Sequence, residues 1–412
     1  MARFSPVRFP PGFFDLPADA GESLPLDVIA AWTRSPQTQA AAHDLLGPFT
    51  LRGTIVASDT AGLTRLSQER SLIEILAMVS RPKELVHAYG KALGGQPIGT
   101  WAADNTLMFY PDGVSPDHLV SALLTLQDRI AAECEVGIGL AVHCGTFYEL
   151  GRGIHGPDAD RVELLAEDYT EAGELVVTDR VAAGMGQSAA FDKVQRADLA
   201  FRFGTVYRVT GGPRAEGIAA SDFRYPLPFT DEFYTGLAQF QRTRRTSVVP
   251  RPAYKEVAMV VVEREQEERD IPEVAALNDL ALAAAVKRLG TALLEEVPGT
   301  EIKTTGRSSL YAFDQARHAL DFARKLRATF AEQAVALAIG IDTGRVLVFE
   351  LGPGARDVAG SPVNVASKLA QDLGSFGTIQ LTAEAARQAG LPAVAATHAV
   401  TVAGVTLEVV TV

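Results

Sequence analysis

Gly173-Glu174-Leu175-Val176-Val177-Thr178 returns as Gly377-Thr378-Ile379-Gln380-Leu381-Thr382, an offset of about 204 residues. Gly156 and Gly360 stand at nearly the same offset. So do Thr54-Ile55-Val56-Ala57-Ser58-Asp59 and Ala258-Met259-Val260-Val261-Val262-Glu263. One such match arises easily by chance, but three in the same order do not. The chain therefore reads as two copies of one structural plan.

Each copy alternates between strand and helix patterns. The first has a β-branched strand over 51–58 and a helical pattern over 68–93. Hairpin arms follow at 97–101 and 106–110, joined through Ala103-Asp104-Asn105, then a helix over 116–133 and a strand over 136–142. The second copy repeats this at 257–263, 274–296, 302–313, 316–333 and 335–341. The order β-α-β-β-α-β predicts an α+β fold, a ferredoxin-like sheet with helices on one face. The domains fall at 48–212 and 254–412, with a connector over 213–253. An N-terminal segment, 1–47, holds a short helix near 27–46. Phe233, Tyr234, Leu237 and Phe240 form an apolar stripe, so the connector reads as an ordered element packed between domains; a flexible linker is the alternative.

The chain of 412 residues carries 47% hydrophobic residues and a formal net charge of -12. That charge disfavours nucleic acid and anionic membranes as partners, because both would be repelled. It leaves open an anionic nucleotide that arrives with metal ions. Cys134 and Cys144 are the two cysteines, too few for a disulfide framework, and read as thiols in a reducing compartment. The N-terminus lacks a signal-peptide apolar core, and no run reaches the roughly 20 apolar residues of a membrane span. The expectation is a cytoplasmic protein.

Several groups invite a chemical reading. Asn364 and Lys368 stand four apart after the turn Gly360-Ser361-Pro362, on one face of a helix. Asp59 ends the first strand and Asp104 sits in the hairpin turn beside it, so both carboxylates reach one point in a ferredoxin-like sheet. Two metal ions holding a triphosphate need such a pair. Residues 60–64, opening a helix, offer backbone N–H groups to phosphates. Each also has an ordinary reading: a cap for Asp59 and Asn364, a turn residue for Asp104. His143 and Cys144 read as a packed core pair rather than metal ligands. Residues 263–270, rich in Glu and Arg, read as a solvated charged loop.

These residues resemble the class III nucleotidyl (adenylate/guanylate) cyclase family, with two cyclase homology domains in tandem. Asp59-Thr60-Ala61-Gly62-Leu63-Thr64 is similar to the family's first metal motif and Trp101-Ala102-Ala103-Asp104 to its second. Ile302-Lys303-Thr304-Thr305-Gly306 resembles the segment whose lysine reads adenine, and Asp357-Val358-Ala359-Gly360 the one whose aspartate does. Val363-Asn364-Val365-Ala366-Ser367-Lys368 resembles the helix whose asparagine orients the ribose and whose arginine stabilises the transition state.

The resemblance implies a pseudo-symmetric head-to-tail pair with composite sites, paired within the chain; a homodimer and a regulatory protein partner stay open. One site would hold two Mg2+ or Mn2+ ions on Asp59 and Asp104. It would place ATP against Ala61, Gly62, Leu63, Thr64, Lys303, Asp357, Asn364 and Lys368, and yield cyclic AMP and pyrophosphate. The other would be degenerate: Glu263 and Arg307 replace the metal carboxylates, and Thr100, Gly153 and Leu164 stand where lysine, aspartate and arginine are expected. Lys368 stands in place of the family's arginine, and 400–405 has no phosphate-binding lysine. These departures motivate the alternative, a catalytically silent pseudocyclase that serves as a nucleotide- or protein-binding regulatory module.

Overall fold

Two helices, α1 (Leu26–Arg34) and α2 (Gln39–Leu46), open the described part of the chain. The sequence predicts a single helix here. Pro36 divides it: the residue before a proline is driven out of the helical region, and Ser35 is extended with ψ 169°. Thr38 restarts the helix, accepting the Ala41 N–H at 3.3 Å. The structure is a computed structural model that describes residues 24–60, 62, 66, 70–99, 101, 105–151, 153–186, 188–226, 230–245, 248, 253–264, 271–304, 308–352, 355–371, 373–392, 397–402 and 405–412.

Two bodies emerge. One spans 48–63 and 73–250; the other joins 251–412 to 1–47 and 64–72. The first body contains β1 (Thr50–Thr60), α3 (Leu72–Ala92), β2 (Gln96–Pro97), β3 (Thr106–Pro111), α4 (Pro116–Glu133) and β4 (Ile138–Leu150). It continues with β5 (Gly153–His155), α5 (Pro157–Tyr169), β6 (Leu175–Thr178), α6 (Asp179–Gly184), β7 (Asp192–Gln195), α7 (Ala200–Phe203), β8 (Val206–Gly211) and α8 (Asp231–Thr243). Its sheet runs β2-β3-β1-β4-β6-β8-β7, with β5 paired to β4.

The second body repeats the plan. It holds β9 (Ala253–Arg264), α9 (Pro272–Leu294), β10 (Thr300–Thr304), β11 (Ser308–Phe313), α10 (Ala316–Glu332) and β12 (Leu337–Gly352). After these come β13 (Ala355–Ala359), α11 (Ser361–Gln371), β14 (Ile379–Thr382), α12 (Ala383–Gln388), β15 (Thr397–Val402) and β16 (Val405–Thr411). The order β10-β11-β9-β12-β14-β16-β15, with β13 on β12, is that of the first sheet. Two eight-stranded α+β halves with ferredoxin-type cores result.

Alternation along the central strands explains the layers. Val56 faces Leu85, Leu119 and Leu123 of α3 and α4, whereas Ile55 and Ala57 face Val162 and Leu165 of α5. In the second body Ala258, Val260 and Val262 pack on α9 and α10, whereas Val257, Met259 and Val261 pack on Ala366 and Ala370 of α11. Helices therefore cover both faces, not the single face that the βαββαβ pattern predicts. The extra layer comes from the helix after the β4–β5 and β12–β13 hairpins. Each fully buried Leu, Val or Phe contributes about 1.5–3 kcal/mol, so neither face is left bare.

The long first helix of each copy is wrapped on more than one side. The connector packs on α3: Tyr225 stacks on Trp101, Tyr234 donates to Glu84 at 3.1 Å, and Gln241 donates to the Ala77 carbonyl at 2.8 Å. Phe233, Leu237 and Phe240 of α8 are buried, so this stretch is an ordered part of the first body. On α9 the cover is α1 and α2, where Trp32 is fully buried and its indole N–H donates to Asn278 Oδ1 at 2.9 Å. No described helix is long and apolar enough to cross a membrane.

Candidate nucleotide site

Lys303 and Asp357 meet. Lys303 Nζ lies 2.8 Å from Asp357 Oδ1 and 3.0 Å from Oδ2, and the Val358 N–H donates to Oδ1 at 2.8 Å. Asp357 is buried while the Lys303 side chain is about a third exposed. The two residues are distant in sequence. Strand β13 folds back on β12, pairing Asp357 with Phe349, and β10 brings Lys303 alongside. An ammonium and a carboxylate side by side present a donor and an acceptor at one point.

Gly360 then turns the chain into α11. Its φ of +151° and the short distances a Cβ there would make, 2.9 Å to the Arg345 carbonyl oxygen, leave room only for glycine. Asn364 and Lys368 follow one helical turn apart, both half-buried, with Val365, Ala366, Leu369 and Ala370 anchoring the helix to the sheet. Gly340 of β12 permits that contact, because a Cβ there would sit 2.0 Å from the Ala366 carbonyl oxygen.

Asp59 lies one residue from the end of β1, half-buried, opposite Gly139. Its carboxylate is the hard oxygen donor that Mg2+ or Mn2+ requires. Gly62 has a φ of +78°, and nothing occupies the space a Cβ would take. Ala61, Leu63, Thr64, Thr100, Asp104 and Arg307 lie outside the described residues. Among the described residues no group of three or more His, Cys, Asp or Glu is placed to hold a metal ion.

The second copy's counterpart of Asp59 is set by register. Glu263 pairs with Ala338 as Asp59 pairs with Gly139. Glu263 is buried and its Oε1 accepts a bond from Gln371 Nε2 at 3.0 Å. The buried Arg264 donates to the Asp279 carbonyl at 2.6 Å. The expectation of a solvated loop thus fails at 263 and 264, which end β9; residues 265–270 are outside the described set. Gln371 carries no signal in the sequence, since its role depends on where α11 ends over the sheet.

Register also compares the copies around the lysine strand. Lys303 pairs with Leu310; the residue that meets the equivalent Leu107 is Ile98, whose N–H donates to the Leu107 carbonyl at 2.9 Å. Ile98 thus stands where the second copy places Ile302 and Lys303 together, and Thr100 lies outside the described residues. Gly153 pairs with Leu150 as Asp357 pairs with Phe349, and Leu164 packs with the α5 core. The first copy is apolar where the second is charged.

His143 is fully buried: Nδ1 lies 2.9 Å from Thr178 Oγ1 and Nε2 lies 3.0 Å from Asp158 Oδ1. This is the packed core histidine the sequence suggests. Burial alone would raise the Asp158 carboxyl. The His143 and Thr146 hydrogen bonds and the His143 and Arg180 charges overcome it and bring the group down to about 2.

No family model matches the chain, and no curated protein matches it. Solved structures do. The crystal structure of a class III adenylyl cyclase-like ATP-binding protein from Pseudomonas aeruginosa aligns over 82% of this chain and 85% of its own, at 11% identity and a TM-score of 0.51. The adenylyl cyclase CyaB from P. aeruginosa aligns over 39% of this chain and 95% of its own, at 18% identity and a TM-score of 0.30. An adenylate/guanylate cyclase/hydrolase from Silicibacter pomeroyi aligns over 38% and 96%, at 20% identity and a TM-score of 0.32. The alignment that spans both halves shows that the chain shares its fold with class III adenylyl cyclase-like proteins.

Proposed function

We propose that the chain binds ATP and converts it to cyclic AMP and pyrophosphate, with the work divided between the copies. The observation that carries this reading is the Lys303–Asp357 pair, with Nζ 2.8 Å from Oδ1. Adenine presents a ring nitrogen acceptor and an amino donor on one edge, which an ammonium and a carboxylate complement. Guanine presents the opposite polarity and would leave a buried carboxylate facing a carbonyl.

Asn364 orients the ribose, and Lys368, one turn on, offsets charge that develops on the α-phosphate. Gly62 and its neighbours offer backbone N–H groups to the phosphates. Two Mg2+ or Mn2+ ions, held by Asp59 and Asp104, would supply Lewis-acid stabilisation of the triphosphate. The second copy's own metal position is a poor one, because Glu263 is buried and held by Gln371. A lysine at 368 provides charge without the bidentate fork of an arginine, so turnover should be slow.

Purified protein with ATP and Mn2+ tests the proposal. Cyclic AMP and pyrophosphate are expected in equal amounts, with Lys368→Arg faster by on the order of 10-fold or more. Neither product from either protein, with ATP still bound, would leave a silent nucleotide-binding module and end the catalytic reading.

A further inference from the structure

Regular alternation along β10 would put Glu301 and Lys303 on the same face of the sheet. The pairing departs from it. Glu301 stands opposite Tyr311 and Lys303 opposite Leu310, the next residue back along β11, so β10 carries one residue more than its partner. This is a β-bulge, with Ile302 and Lys303 both facing Leu310. Ile302 packs with Leu310, Val358 and Ala366, and Lys303 reaches Asp357 on that side. Tyr311 belongs to the opposite face, packed on Phe322 and Val286, and Glu301 points there.

Glu301 is gripped on that face by three groups. Lys287 Nζ lies 3.1 Å from Oε1, and Thr291 Oγ1 lies 3.2 Å from Oε2, both from α9. Thr304 Oγ1 donates to Oε1 at 3.0 Å. The last bond joins residues three apart in a strand, which regular alternation would place on opposite faces. It forms only because the bulge adds a residue, so it spans the bulge.

We propose that Glu301 is a positioning residue for nucleobase selection: its carboxylate staples the bulge in β10 and thereby keeps Lys303 on the face of Asp357. Without the staple the strand relaxes to regular pairing, and a slip of one residue carries Lys303 to the α9 side. The nucleobase arm rests on the adenine reading above; the orientation of Lys303 does not.

Two readouts separate them. Carbodiimide coupling joins Lys303 Nζ to the Asp357 carboxyl only when the two are in contact, and peptide mass spectrometry scores the cross-link without nucleotide. Competition binding gives the ATP-over-GTP preference. The Glu301→Val/Lys287→Met variant removes the staple without stranding the lysine, and Thr304→Val removes only the bond across the bulge. Both should lower the cross-link yield and the ATP preference together, by about 10-fold for the double variant and less for Thr304→Val. Glu301→Gln, which keeps an acceptor for Thr304, should retain most of both. An unchanged cross-link yield in the folded double variant overturns the staple, and Thr304→Val decides the matter if the double variant does not fold. A lost cross-link with an unchanged ATP preference keeps the staple and overturns the role in base selection.

Discussion

The two sheets share strand order and the register of their central strands, yet they differ at several positions where a polar side chain does something. The second copy has Asp357 and Lys368; the first has Gly153 and Leu164. The first has a half-buried Asp59; the second has Glu263 buried and bound by Gln371. Even the buried clusters are inverted. His143 bonds Thr178 in the first copy, and Asp342 accepts from Thr382 at the corresponding place in the second. Apolar faces must close in both copies, so the strand positions there keep apolar character. The polar differences gather at strand ends and helix turns, at 59, 263, 357 and 368.

The covers of the long first helices extend the comparison. The connector closes α3, and α1 with α2 closes α9. If these covers are equivalent in weight, losing the anchor of one is the largest effect a single substitution can have. Trp32→Ala removes a fully buried indole and leaves the Asn278 amide without that donor. It should cost about 3–5 kcal/mol. Calorimetric unfolding of the full chain measures it, and a cost below about 1 kcal/mol would show that the N-terminal helices are an accessory rather than part of the second core.

A second contrast lies under α5 and α11. Gly340 stands where the first copy has Ala141, since Gly340 pairs with Val261 and Ala141 with Ala57 at matching register. Alanine fits beneath α5 but would drive a methyl to within 2.0 Å of the Ala366 carbonyl oxygen under α11. Gly340→Ala should destabilise by about 2–3 kcal/mol and displace Asn364 and Lys368. Urea unfolding and ATP affinity should both weaken. Stability lost with affinity intact would uncouple the seat of α11 from the nucleotide.

Much of this architecture is legible in the sequence, because repeats and period-2 strands report the sheet directly. The helix over 116–133 falls on α4, and the 257–263 strand is the heart of β9. The opposite-face layer is not legible, because α5 and α11 follow short hairpins whose fold-back depends on β5 and β13 pairing with their neighbours. The same holds for the site. Lys303 and Asp357 are visible as residue types, but their meeting depends on a bulge that no composition or spacing announces. Gln371, too, acquires its partner only through the length of α11.

The smallest effect sharpens the inverted clusters by pH. Asp342 is largely withdrawn from water, which raises its carboxyl; bonds from Thr382 and the Thr343 N–H pull the other way, and Glu384 adds to the rise, leaving the group at about 6. A carboxyl raised above its unfolded value of about 3.9 favours folding most when protonated, and that contribution fades as pH climbs through 6. Asp342→Asn keeps an acceptor for Thr382 and cannot ionise. It should match the parent near pH 4 and exceed it by about 2 kcal/mol at pH 8 in urea unfolding. Asp158, held at about 2, predicts the reverse: its charge stabilises above pH 4, and that advantage over Asp158→Asn shrinks as pH falls toward 2. Opposite slopes from the clusters built on the counterpart positions 143 and 342 would show that the copies diverged in charge while the strands beneath them did not. Parallel slopes would mean that the inversion at 143 and 342 has no electrostatic consequence.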